Sequence, residues 1–262
     1  MGKFILEACV DSYQSAVNAF NGGANRLELC SNLIIGGTTP SLELFKKIKN
    51  NLDIKINVLI RPRFGDFLYS DDEFEIIKNE IEQFKNLGAN GIVFGALNSN
   101  GTLDIKKMKE ALKIAENMDF TLHRAFDVCK EPFTVLNQCI DLKINTILTS
   151  GQEDNCVLGK NLLKELVKKA NGKIDILVGA GVSSNNIEKI ANFTNAKSFH
   201  LSGKIEKNSL MEYRKQNVNM GLKNLSEYII WETSEQNIRN AKIILNNLER
   251  NKNGEYKYYW RN

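Results

Sequence analysis

Apolar residues along the chain follow two alternating patterns. Short runs rich in β-branched and aromatic residues predict strands near 4–10 (FILEACV), 25–30, 54–60, 91–95, 119–124, 145–149, 174–179 and 197–202. Between them lie segments of helical period, near 12–21, 40–50, 72–87, 104–117, 132–142, 159–171, 184–193 and 233–249. The clearest is 72–87, where Phe74, Ile77, Ile81, Phe84 and Leu87 recur at helical spacing. Ser70 or Asp71 caps its start, and Gly88 follows its end. Strict alternation of strand and helix predicts a single-domain (β/α)8 TIM barrel over residues 1–250, with 251–262 as a C-terminal tail. A doubly wound sheet would need fewer strands or an obvious linker. The chain has only three prolines and no low-complexity stretch. The long segment 203–232 falls where barrels often carry a functional loop. The tail GEYKYYWRN (254–262) reads as a frayed end, with packing on a neighbouring subunit as the alternative.

Side chains alternate along a strand, and the helix-covered face of a barrel strand is apolar. On strand 1, Ile5, Glu7, Cys9 and Asp11 share a face. On strand 2, Leu27 and Leu29 point toward the helices, so Arg26, Glu28 and Cys30 point inward. Arg61 and His123 are expected inside by the same parity, with His200 and Ser202 beside them. The reactive side chains gather near strand ends, where barrels build their active sites. The tetrapeptides LEAC (6–9) and LELC (27–30) set a Glu and a Cys at matching spacing on neighbouring strands. The two thiols are therefore expected near each other, although neighbouring barrel strands feed different layers and the pair can be staggered.

Composition narrows the classes. The chain has 262 residues, 42% hydrophobic and 25% charged, enough for a substantial core. A net charge of +4, evenly spread, gives no footprint for nucleic acid. No run of about 18 apolar residues suggests a membrane span. The N-terminus lacks a signal-peptide pattern. Five cysteines (Cys9, Cys30, Cys129, Cys139, Cys156), with no CxxC among them, point to reduced thiols in the cytoplasm.

Several chemistries fit these residues. Cys9 and Cys30 are the metal candidates: soft thiolates select Cu(I) or Zn(II), and two sulfurs alone suit Cu(I) better than four-coordinate zinc. The bland alternative makes each cysteine a small buried hydrophobe. A disulfide is conceivable but disfavoured in a reducing compartment. Cys129, on the expected rim, is a candidate third ligand, whereas Cys139 reads as core. Glu7, Glu28, Arg61, His123 and Asp127 form a candidate catalytic set for acid/base work on a small anion. Arg61 and Arg63 in RPRFGDF offer forks for a carboxylate or phosphate. Gly179, Gly181, Ser202 and Gly203 follow strands 7 and 8, where barrels commonly hold phosphate. A wholly structural polar plug inside the barrel is the other possibility.

Several blocks together resemble one family. CVDS (9–12), GGANRLELCSNL (22–33), GGTTPS (36–41), IRPRFGDFLYSDDE (60–73), GIVFGAL (91–97), HRAFD (123–127), ILTSG (147–151), GAGV (179–182) and FHLS (199–202) resemble the CutC copper-homeostasis family. A looser match continues to about residue 248. The resemblance implies a (β/α)8 barrel, a cytoplasmic protein, a homo-oligomer and a Cu(I) site at Cys9 and Cys30. Family members commonly carry GGGV where this chain has GAGV, so Ala180 is expected to narrow any phosphate site there. No accepted reaction comes with the family. The leading expectation is a cytoplasmic Cu(I)-binding protein of copper homeostasis. The rival is a barrel enzyme acting on a small phosphate- or carboxylate-bearing metabolite. An interior lined by two glutamates, two arginines and two histidines exceeds what a simple copper carrier requires.

Overall fold

A computed structural model describes residues 4–221 and 225–253. The eight predicted strands form β1 (Ile5–Val10), β2 (Arg26–Leu29), β3 (Lys55–Leu59), β4 (Gly91–Val93), β5 (Asp119–Leu122), β6 (Thr146–Thr149), β7 (Asp175–Val178) and β8 (Ser198–Leu201). All are parallel and close into a barrel in sequence order, with β8 paired to β1. The helices are α1 (Tyr13–Asn21), α2 (Leu42–Asn51), α3 (Asp71–Asn86), α4 (Ile105–Ala115), α5 (Pro132–Asp141), α6 (Lys160–Ala170), α7 (Ile187–Thr194) and α8 (Glu235–Asn253). The tail 254–262 lies outside the described residues. No described helix is long and apolar enough to cross a membrane.

Parity builds the two faces. Leu27 and Leu29 on β2 are fully buried toward the helices and join one continuous core with Phe45 and Ile48 of α2. Each such side chain removes enough apolar area from water to stabilise by about 2 kcal/mol. On α3, Phe74, Ile77, Ile81 and Phe84 face that core. Its start carries a full capping box: the Ser70 hydroxyl accepts from the Glu73 N–H, and the Glu73 carboxylate accepts from the Ser70 N–H.

The 203–232 segment differs from the expected loop. Its ends form an antiparallel pair, β9 (Lys204–Asn208) and β10 (Ile229–Thr233). The strands are mostly exposed and largely polar on β9, and their partners lie more than twenty residues apart. A local apolar pattern carries no trace of such pairing. Only Lys204, at its base, reaches the pocket described next.

Candidate functional site

The C-terminal mouth of the barrel opens into a cavity of about 650 Å3. Its floor is built where the chain's first, second and last barrel strands meet. The register sets Glu7 beside Arg26 on one side and His200 on the other, and Cys9 beside Glu28. Glu7 is 1% exposed. Its Oε2 accepts from Arg26 Nε at 2.5 Å, and its Oε1 meets His200 Nδ1 at 2.7 Å. Burial opposes ionisation of Glu7, but Arg26 and His200 outweigh it and hold the carboxyl below its ordinary range. Burial likewise opposes the His200 charge, but Glu28 and Glu7 prevail and raise its pKa. Glu7 does not line the cavity. With both oxygens engaged it orients His200 from below, as an outer partner orients a metal-binding imidazole.

Above this pair sit the thiols. Cys9 and Cys30 Sγ are 3.7 Å apart, despite a stagger that pairs Cys9 with Glu28 across the strands. The Cys9 thiol donates to Glu28 Oε1 at 3.5 Å, and the Cys30 thiol donates to Val10 O at 3.6 Å. Cys9 lines the cavity; Cys30 is fully buried behind it, among Leu33, Leu59 and Val93. The Cys30 contact first, and burial second, push the Cys9 pKa well up. Glu28 is raised by burial. One ligand atom each from Cys9, Glu28 and His200 lies within 4.8 Å of the others. The sequence reading had put His200 inside but given it no part in the metal set. Barrel closure is the signal: β8 adjoins β1, so the inward residue of β8 falls beside Glu7.

The adjoining wall comes from β3, next to β2, and from β5. Arg61, 7% exposed, follows β3. Its Nη1 donates to Gly36 O and Gly37 O at 3.3 and 3.0 Å, and its Nη2 donates to Gly65 O at 2.7 Å. Burial, and then Arg63, lower its pKa, but a guanidinium stays charged at any working pH. His123 follows β5. Its Nδ1 accepts from the Ala125 N–H at 3.1 Å, which leaves the ring proton on Nε2. That Nε2 is buried without a partner among the described residues. Burial, and then Arg61, bring the His123 pKa down to about 3, so the ring is neutral. Phe67 packs on both, with the Arg61 guanidinium 5.1 Å and the His123 ring 4.7 Å from its centroid.

The remaining candidates have other work. Asp127 lines the cavity, but both oxygens are taken. Oδ1 accepts from Thr149 Oγ1 and the N–H groups of Ser150 and Gln152; Oδ2 accepts from Ser150 Oγ and Arg124 Nε. The side chain clamps the loop after β6 and has no oxygen left for proton transfer. Arg63 turns outward to Glu73 and Asp66. Cys129 lies under Gln152, whose Nε2 is 3.5 Å from its sulfur, and does not line the cavity. Cys139 is core, as expected. Gly181 and Ser202 line the main cavity, and Gly203 lines a smaller one beside it. Gly179 serves packing: a Cβ there would come within 2.6 Å of Leu148. At the start of α7 the Ser183 N–H already has an acceptor in Asn186 Oδ1, so this turn is capped from within. Ala180 adopts the left-handed conformation (φ 63) and lines the cavity.

The CutC family model matches residues 4–205, which hold all eight barrel strands. The chain belongs to the CutC family. It is similar to a CutC family protein of Parabacteroides distasonis, 48% identical over 220 residues, covering 84% of this chain and 90% of the relative. It is 39% identical over 246 residues to the copper homeostasis protein cutC homolog of Homo sapiens, covering 94% and 90%. Among solved structures, CutC from Streptococcus agalactiae superposes with a TM-score of 0.73 at 30% identity, covering 76% of this chain and 98% of that one.

Proposed function

We propose that the protein takes part in copper homeostasis and holds Cu(I) as cargo at Cys9 and Cys30. The observation that carries this reading is the pair of sulfurs 3.7 Å apart at the floor of an open cavity. Two thiolates are the soft donors that select Cu(I). Both thiols must lose their protons to bind it. Glu28 already accepts the Cys9 hydrogen bond and lines the cavity, so it is the group that receives that proton. His200, oriented by Glu7, stands with Glu28 beside the Cys9 sulfur and, once deprotonated, is a further donor on that side. Cys30 is fully buried and only Cys9 of the two lines the cavity, so Cys9 is the sulfur an incoming ion meets first. The proposed setting is the cytoplasm, where thiols stay reduced, and the family likeness extends the proposal to a homo-oligomer.

The test is an anaerobic Cu(I) titration of the reduced protein against a competing chelator, with the Cys9→Ser/Cys30→Ser double variant alongside. The expected result is one-to-one binding that the variant loses. Unchanged stoichiometric binding in the variant would sink the reading.

A further inference from the structure

The wall built after β3 and β5 is unlike a metal site. Arg61 is a buried cation, yet no carboxylate among the described residues pairs with it; its guanidinium meets backbone carbonyls and the neutral phenol of Tyr69. Buried charges are ordinarily paired. Beside it, His123 presents a buried Nε2–H that nothing accepts. Buried donors without partners are rare enough to require a reason. Both residues line a cavity large enough for a small metabolite. Ile35 and Val128 line the same cavity, apolar yet 37% and 62% exposed.

We propose that Arg61 and His123 form a subsite for the carboxylate of a small organic acid, whose apolar body lies on Phe67, Ile35 and Val128. One unpaired positive charge matches a monoanion. A fixed guanidinium and a neutral N–H supply donors for two carboxylate oxygens. A phosphate dianion fits less well, because it has no apolar body to lie on Phe67, Ile35 and Val128; in the rest of the charged lining, Glu28 and Asp127 stand against Arg124 and Lys204. His123 is suited to this role because it stays neutral: it adds a donor without a second buried charge. The loops after β7 and β8 are a poorer anion cradle, since the Ser183 N–H there is already satisfied by Asn186. The subsite goes beyond the copper reading and needs no metal, so either can fail alone.

The test uses metal-free, reduced protein with its histidines 15N-labelled. Only two histidines are present, so each resonance is assignable. The probes are hexanoate, the uncharged hexan-1-ol and inorganic phosphate. Hexanoate is expected to bind saturably and to shift the His123 Nε2 resonance, while hexan-1-ol leaves it in place and phosphate does not displace the acid. Arg61→Met should weaken hexanoate about tenfold or more, the scale of a lost charge-assisted hydrogen bond. That variant also frees three carbonyls and can misfold. His123→Phe keeps a ring against Phe67 and should weaken hexanoate about threefold to tenfold, the scale of one neutral hydrogen bond. No saturable shift, equal binding of hexan-1-ol, displacement by phosphate, or unchanged affinity in a folded His123→Phe protein would each overturn the proposal.

Discussion

The two walls of one pocket solve the problem of buried polarity in opposite ways. On the β1–β2–β8 wall the central carboxylate is paired twice, Glu7 lying between Arg26 and His200, while Glu28 takes the neutral Cys9 thiol on one oxygen and has no partner among the described residues on the other. On the β3–β5 wall, Arg61 has carbonyls, the neutral Tyr69 phenol and the Phe67 ring but no carboxylate, and His123 has no charge. The first wall is organised around an ion-paired carboxylate and carries the electron-pair donors Cys9, Glu28 and His200. The second is short of acceptors and offers protons. A cavity so divided suits a soft cation on one side and an anion on the other. The difference teaches that charge count alone does not describe a site; the state of pairing does.

Cutting the paired wall should do the greatest damage. Glu7→Ala leaves Arg26 buried without its carboxylate, and urea unfolding should record a loss of about 3–5 kcal/mol. If Glu7→Ala proves nearly neutral, the wall is not held by its ion pairs and the contrast fails. On the unpaired wall, Arg61→Met removes no ion pair and should cost about 1–3 kcal/mol, the desolvation of the orphaned carbonyls. A larger loss than that of Glu7→Ala would reverse the comparison.

The histidine of the unpaired wall gives a pH signature. His123 titrates at about 3 when folded, against an ordinary 6.5. The unfolded chain therefore takes up the proton first. Stability owed to the neutral ring is intact above pH 6.5 and declines as pH falls toward 3, by up to about 1.4 kcal/mol per unit. His123→Phe should flatten this acid limb, and the wild-type His123 resonance should stay unprotonated between pH 8 and 5. Protonation of His123 near pH 6 would mean that the wall is wetter and less donor-poor than described.

The smallest effect supplies the control. Ser70→Ala breaks the capping box of α3, away from both walls, and should lower stability by about 1 kcal/mol. Hexanoate and Cu(I) titrations of that variant should match the wild type. A change in either would show that modest global destabilisation, rather than the walls, governs binding.

Most of the barrel was legible because each strand carries an apolar face that must meet helices, as Leu27 and Leu29 do on β2. Inward residues followed by parity, and Glu28, Arg61 and His123 lie where that places them. What a linear pattern does not carry is pairing. Asp127 has the composition of a catalytic acid, but the hydroxyl and N–H groups that hold it belong to a loop more than twenty residues on. His200 joins Cys9 and Glu28 only because the sheet closes on itself. The β9–β10 pair stayed hidden because an exposed, largely polar ladder leaves no buried face to read.

The closure of β8 on β1 also sets an order of events in time. Cys9, Glu28 and Cys30 leave the ribosome within the first 30 residues, whereas His200 arrives after most of the barrel has been made. Until then Glu7 lacks its imidazole, and the sulfurs sit on an open sheet edge instead of the floor of a cavity. The donor set is therefore complete only once β8 has paired with β1, and a chain cut short before β8 carries the thiols without the site.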